Sequence, residues 1–168
     1  MSMVSRVEND RVLILERIFD APRDLLFNMF KEPEHLKNWW GPKGWDVPVC
    51  HIDFRPEGIW HYCMKCVDQS QGEFFGMESW VKVVYKEIIE PEKICYTDYF
   101  SDAEGNLNDE LPSTEVTLEF VDLGRKTKLI NRAEYVSAES LQTVLDMGML
   151  EGIGETWDRL AELVQTKK

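Results

Sequence analysis

The chain reads as an α+β protein in which a curved antiparallel sheet grips one long C-terminal helix. Three observations predict this. From Trp45 to Val136 apolar and polar residues alternate at the period of two that strands impose. From Ser137 to Lys167 the apolar residues recur three and four apart, the spacing of one helix face. Between the first apolar run and the rest of the sheet lie two short segments, each opened by a proline.

Taken in order, Arg11 to Phe19 combines Val12, Leu13, Ile14, Leu15, Ile18 and Phe19 with Glu16 and Arg17, which suits a first strand. Asp20 then precedes Pro22, and Leu25, Leu26, Met29 and Phe30 follow at helical spacing. Pro33 opens a second short helix through Leu36, Trp39 and Trp40, which Gly41-Pro42 stops. Trp45 to Ile52 and Ile59 to Cys66 form a hairpin about the turn Arg55-Pro56-Glu57-Gly58. Gln69 to Gly72 reads as a turn, Phe74 to Tyr85 as a long strand and Ile88 to Phe100 as the next, with Glu90-Pro91-Glu92 between them. Asp102 to Pro112 is acidic and rich in Gly and Asn, a loop of the length that is often mobile or functional. Val116 to Val121 and Thr127 to Val136 are the last strands, turned at Gly124.

The terminal segment reads as one amphipathic helix. Leu141, Val144, Leu145, Gly148, Met149, Gly152, Ile153, Trp157, Leu160 and Val164 share a stripe, Ser137 is placed to cap its start, and Lys167 and Lys168 suit its negative end. Gly148, Gly152 and Gly154 are unexpected inside it, since each weakens a helix by about 1 kcal/mol relative to Ala. Two readings fit glycines on the buried stripe: close packing on the sheet, or room beneath the helix for a ligand.

With 168 residues the chain suits one domain with a sizeable core, spanning 1–168 with its centre at 11–165. The first ten residues carry no apolar run, so neither a signal peptide nor a membrane anchor is expected. Cys50, Cys63, Cys66 and Cys95 are too sparse for a disulfide scaffold, which points to the cytoplasm. A net charge of −12 argues against nucleic acid and against anionic membranes as partners. Nothing in the sequence separates a monomer from a homodimer.

Little in the chain announces chemistry. Cys63-Met64-Lys65-Cys66 has CxxC spacing, but on a regular strand residues three apart face opposite ways, so neither a redox pair nor a metal site is expected. His51 and His61 lie on neighbouring strands and could face each other, without an acid at ligand spacing. No nucleophile signature and no phosphate loop occurs, and no cofactor is implied. Glu78 shares parity with Trp80, and Asp98 with Tyr96 and Phe100, so either carboxylate is a candidate to point inward with a raised pKa. The six tryptophans and Met64, Met77, Met147 and Met149 are core or the lining of an apolar pocket.

The chain resembles the SRPBCC or START-like superfamily, in the branch named for the C-terminal domain of the activator of Hsp90 ATPase. The residues that carry the resemblance are Ala21-Pro22, Trp39-Trp40-Gly41-Pro42, Asp53-Phe54-Arg55-Pro56-Glu57-Gly58 with Trp60, Pro91-Glu92-Lys93-Ile94 with Tyr96-Thr97, and Glu151-Gly152 leading to Asp158-Arg159-Leu160. It departs from the family at Glu57-Gly58, where Gly-Gly is frequent, and at Gly152-Ile153, where Gly-Trp is frequent. The resemblance implies a helix-grip fold enclosing a hydrophobic cavity.

The leading expectation is therefore a non-enzymatic domain that binds a small lipophilic molecule between helix and sheet. Trp60, Tyr62, Met64, Glu78, Trp80, Asp98, Met149, Gly152, Ile153 and Trp157 would line the cavity, with Trp39 and Trp40 at its mouth. An Hsp90-activator-like module with a chaperone as partner is the second expectation. The third is a cyclase- or hydrolase-like enzyme using Glu78, Asp98 or His61 for proton transfer.

Overall fold

The computed structural model describes residues 3–108, 110–111 and 113–167. Among them eight strands form one antiparallel sheet: β1 (Val4–Glu8), β2 (Val12–Phe19), β3 (Trp45–Ile52), β4 (Ile59–Cys66), β5 (Glu78–Ile89), β6 (Lys93–Ser101), β7 (Thr114–Asp122) and β8 (Thr127–Tyr135). Their spatial order is β1-β2-β8-β7-β6-β5-β4-β3. Two short helices, α1 (Arg23–Asn28) and α2 (Pro33–Trp39), follow β2, and α3 (Ala138–Asp146) and α4 (Met149–Thr166) follow β8.

The concave face is fixed by the period of two. Leu13, Leu15 and Phe19 of β2, Trp60 and Tyr62 of β4, Val81, Val83 and Tyr85 of β5, and Val116, Leu118 and Phe120 of β7 belong to one buried cluster. Leu141 of α3 and Trp157, Leu160 and Val164 of α4 complete it, so both helices cover the same side of the sheet. Each large apolar side chain fully withdrawn from water adds about 1.5–3 kcal/mol. One end of this core is filled with aromatic rings under α1 and α2: Phe27 and Phe30 each meet Phe120 edge to face, at 5.0 and 5.2 Å between centroids.

Three elements differ from the sequence-based expectation. β1 is an added edge strand whose residues are mostly exposed, so no burial pattern marks it. The stretch Gln69–Phe74, expected to pass from turn to strand, is a 3₁₀ helix capped by Asp68, which accepts from the Ser70 amide at 3.0 Å; β5 begins only at Glu78. The terminal helix is two helices rather than one. Gly148 takes φ +82°, a left-handed conformation that costs glycine little, and the chain turns there between α3 and α4. Ser137 caps α3 as expected, its hydroxyl accepting from the Ser140 amide at 3.1 Å.

Candidate functional site

On the concave face one cross-strand row runs Trp60, Val83, Asp98, Thr114, Tyr135 through β4 to β8. The next row towards the open end is Tyr62, Val81 and Phe100. Directly opposed residues of an antiparallel pair share a face and stand about 4.5–5.5 Å apart at Cα. Asp98 is therefore carried inward by the same parity that buries Ile94 and Tyr96 on its own strand.

Burial pushes the Asp98 carboxyl up to about 7; the Thr114 hydroxyl, donating to it, opposes the shift, and the charge of Glu115 adds to it. The carboxyl in turn acts on the tyrosines around it. Tyr62 and Tyr96 are lifted above the ordinary phenol range first by burial and then by Asp98, and Tyr135 is pushed up to about 12 for the same two reasons. At neutral pH these hydroxyls are neutral donors and acceptors gathered about one acid.

Beside this row stands an aromatic trio. Trp60 stacks on Tyr62 at 4.6 Å, and Trp40 meets Trp60 at 4.9 Å and Tyr62 at 5.7 Å edge to face. The buried Trp60 Nε1 finds no partner in hydrogen-bonding geometry. It lies close enough to the Cys50 thiol to oppose the rise that burial imposes there, so we place that sulfur as its neighbour rather than its acceptor.

Met64, Asp98, Phe100, Met149 and Ile153 keep an intermediate share of exposed surface. Met64, Asp98 and Phe100 stand on the concave face, and Met149 and Ile153 pack from α4 against the core. Open grooves lie at the elbow of the two helices and at the start of α3. One of about 500 Å³ lies among Pro42, Trp45, Gln71, Phe74, Met147 and Gly152, and one of about 470 Å³ among Leu111, Ser113, Val136, Ser137 and Ser140. A third depression, of about 510 Å³, lies beside Lys43, Trp45, Glu155 and Arg159.

The residues expected at the site divide. Tyr62, Met64, Asp98, Met149 and Ile153 lie together on the inner side. Glu78 and Trp80 do not, and their expected place in the cavity is corrected by the register. Trp80 pairs with Cys63 and Glu78 with Lys65, so both project from the convex face, where the Trp80 indole donates to Glu78 at 3.3 Å and lies against His61 at 5.2 Å. His61 is on that outer face too, paired with His51, its Nε2 within 3.1 Å of the Asp102 carbonyl and 3.3 Å of the Ser101 hydroxyl. The three proton-transfer candidates are thus on two sides of the sheet, and only Asp98 faces inward.

Trp39, expected at the mouth, is fully buried and donates to the Met29 carbonyl at 3.0 Å, while Trp40 stays partly exposed. Trp157 is also core, edge to face with Phe19 at 5.9 Å. Gly152 faces neither void nor a forced approach: a Cβ there would meet Pro42 at 3.9 Å, an ordinary contact. Cys63 and Cys66 point to opposite faces, with Cys63 beside Trp80 and the Cys66 sulfur 3.6 Å from the Gln71 side-chain oxygen. Among the described residues no group of three or more acidic, His or Cys side chains could hold a metal, and no helix is long and apolar enough to cross a membrane.

Sequence reasoning missed Thr114, Tyr135 and Phe100. Phe100 shares the parity of Asp98 on its own strand, which the alternation alone shows, while Thr114 and Tyr135 sit at inward positions of other strands that only the register brings into the Asp98 row.

The comparisons agree with this architecture. The family described as activator of Hsp90 ATPase homolog 1-like protein matches residues 20–165. The crystal structure of protein Ms6760 from Mycobacterium smegmatis is similar at 27% identity and TM-score 0.84, with 96% of each chain covered. A solution structure from Arthrobacter aurescens shares the fold at 23% identity and TM-score 0.84, covering 97% of this chain and 91% of that one. The AHSA1 protein of Silicibacter pomeroyi does so at 24% identity and TM-score 0.72, covering 94% and 99%. No curated protein matches the chain.

Proposed function

Since the chain belongs to the family of activator of Hsp90 ATPase homolog 1-like proteins, we propose that it is a binding domain that holds one small lipophilic molecule between α3–α4 and the concave face of the sheet. The observation that carries this reading is the uneven exposure of apolar side chains along the concave face. Under α1 and α2 the rings of Phe27, Phe30 and Phe120 pack face to edge, whereas Met64, Phe100, Met149 and Ile153 retain exposed surface at the other end. Apolar side chains that keep exposed surface beside a packed core offer a ligand the contacts that packing has not used. Methionine suits such a wall because its thioether adapts to the shape of what it meets.

Titration with the neutral dye N-phenyl-1-naphthylamine tests the reading. Saturable fluorescence enhancement at one dye per chain is expected, weakened in a folded Ile153→Trp variant whose ring occupies the space. Absence of enhancement in the parent protein would contradict it.

A second reading, an interaction module for a chaperone, is favoured by a different observation. Phe74 and Met147 are exposed by 53% and 61% and border one groove, an apolar surface of the kind that marks protein contacts. Stimulation of purified Hsp90 ATPase that disappears in Phe74→Ser, with dye binding intact, would support this reading over the first.

A further inference from the structure

The inner wall has a charge pattern that narrows the chemistry of the ligand. Asp98 is the carboxylate of the central row, and its row neighbours Val83, Thr114 and Tyr135 bring no cation. The basic side chains nearby are committed elsewhere. Lys82 pairs with His61 and Tyr99 on the outer face, its ammonium donating to the Gly105 carbonyl at 3.3 Å. Lys86 is bound to Glu115 at 2.6 Å. Arg17, inward on β2 with Phe19, is held by Asp158 at 2.6 Å, and Arg159 is spent on backbone carbonyls of the Trp40–Trp45 turn. From the helices above, Leu141, Val144, Leu145, Met149 and Ile153 face the core, all apolar.

An ionised Asp98 is therefore short of a counter-charge. A carboxylate has room for about four hydrogen bonds, and Thr114 supplies one. Across β5 from it, with Val83 and Val81 between, the rings of Trp40, Trp60 and Tyr62 gather within 6 Å of one another, and aromatic faces attract a cation through their quadrupoles. An inward acid whose cross-strand row brings no basic side chain, on an apolar face that also carries an aromatic trio, is the recognition chemistry of an ammonium group. A fatty acid or other anionic lipid would place like charge on an ionised Asp98 and could bind only with that carboxyl protonated.

We infer that the site takes a lipophilic amine, its apolar body against Met64, Phe100, Met149 and Ile153 and its protonated nitrogen on the Asp98 carboxylate, on the same face of the sheet as the aromatic trio. This rests on the cavity reading above. Asp98 gives the site a pH dependence, because the carboxyl that receives the cation must first lose its proton. The groups that face it are Tyr62 from β4, Tyr96 from β6, Thr114 from β7 with Glu115 adjacent, and Tyr135 from β8, while β5 presents Val83. None of the tyrosines ionises in the range where Asp98 does, since each is lifted above the usual phenol value.

Three probes of one shape separate the outcomes: 2-naphthylmethylamine, 2-naphthalenemethanol and 2-naphthoate, each measured by calorimetry and by displacement of N-phenyl-1-naphthylamine. At pH above that of Asp98 titration the amine should bind about tenfold more tightly than the alcohol, the scale of one charge-assisted hydrogen bond, and the naphthoate more weakly than both. Asp98→Asn, folded by circular dichroism, should abolish the preference for the amine and keep the affinity for the alcohol. On lowering the pH from about 8 to about 6 the preference should shrink as the carboxyl protonates. Equal affinity for amine and alcohol, or a preference that survives in Asp98→Asn, overturns the amine assignment and leaves the cavity reading standing. Failure of all three probes and of the dye to bind overturns both.

Discussion

Arg159 of α4 donates from Nη1 to the carbonyl oxygen of Gly41 at 2.8 Å, and the same nitrogen lies 3.2 Å from the Trp40 carbonyl and 3.1 Å from that of Trp45. Its Nη2 reaches the Asn38 carbonyl at 3.5 Å. One guanidinium thus collects the oxygens left free where α2 ends, and ties the Trp39-Trp40-Gly41-Pro42 turn to the helix that closes the sheet. The planar fork of Arg suits several acceptors at once; a lysine ammonium on its flexible stem does not. Gly41 takes φ +93°, which leaves its carbonyl turned to the arginine and its Cα against Met64.

Arg159→Lys should accordingly lower stability by about 1–3 kcal/mol, the range for hydrogen bonds to a charged group. Urea unfolding measures it, and Trp40 near the site should report the loosening by fluorescence at lower denaturant than the global transition. A variant as stable as the parent would show that the turn holds without the clamp.

Two glycines of the terminal segment should respond in opposite directions. Gly148→Ala forces a Cβ into a left-handed conformation with nothing within 4 Å to relieve or oppose it, so a loss of about 1 kcal/mol from backbone strain alone is expected. Gly152→Ala lies inside α4 with its nearest contact at 3.9 Å, so it should gain up to about 1 kcal/mol from helix propensity. Thermal melts of the two variants decide; a gain at Gly148 would mean that the helix runs on through the elbow.

Asp98 predicts how stability depends on pH. Its folded pKa, about 7, is above the usual carboxylate value, so the folded state holds the proton more tightly than the unfolded chain does. The favourable contribution is fully present below the unfolded pKa and is lost as pH rises through about 7. Each pKa unit is worth about 1.4 kcal/mol, and the partial exposure of Asp98 reduces what is realised. Asp98→Asn should therefore gain on the parent as the pH is raised from about 4 to about 8 in chemical denaturation. A difference that is flat across that window would place the carboxyl in water.

How far the sequence spoke is visible in these same residues. The alternation in β4 and β6 was enough to put Tyr62, Met64 and Asp98 on the inner face, because one slip of register would turn a whole strand inside out. Trp80 misled for a physical reason: its parity with Glu78 was legible, but a tryptophan on the convex face covers Cys63 and rests on His61 as readily as it would fill a core. The elbow at Gly148 was hidden because α3 and α4 each keep an apolar face, so the stripe continues through a break that one left-handed residue makes. β1 carries no pattern because it is an exposed edge. The Asp98-Thr114-Tyr135 row depends on pairing across the loop 102–113, and no local spacing encodes it.

The acidic, Gly- and Asn-rich composition of Asp102 to Pro112 predicts a mobile or functional loop, of which Asp109 and Pro112 lie outside the described residues. Its first half is locally organised. The Asp102 carboxylate accepts from the amides of Glu104 at 3.0 Å and Asn106 at 2.8 Å, and the Asn108 amide donates to the Phe100 carbonyl at 2.8 Å. Amide exchange should be slower at Asn106 and Asn108 than at Ala103; equally fast exchange at all three would contradict this ordering.

Methionine-methyl NMR during addition of N-phenyl-1-naphthylamine tests the interior binding site most directly, because the methyl groups sample every candidate location. Met64 and Met149 belong to the inner wall, Met29 to the filled core, and Met77 and Met147 to the exposed surface. Saturable shifts of Met64 and Met149, with Met29 and Met77 unmoved, are the predicted result. Shifts confined to Met77 and Met147 would put the dye on the surface beside Phe74 and contradict a ligand held between the helices and the sheet.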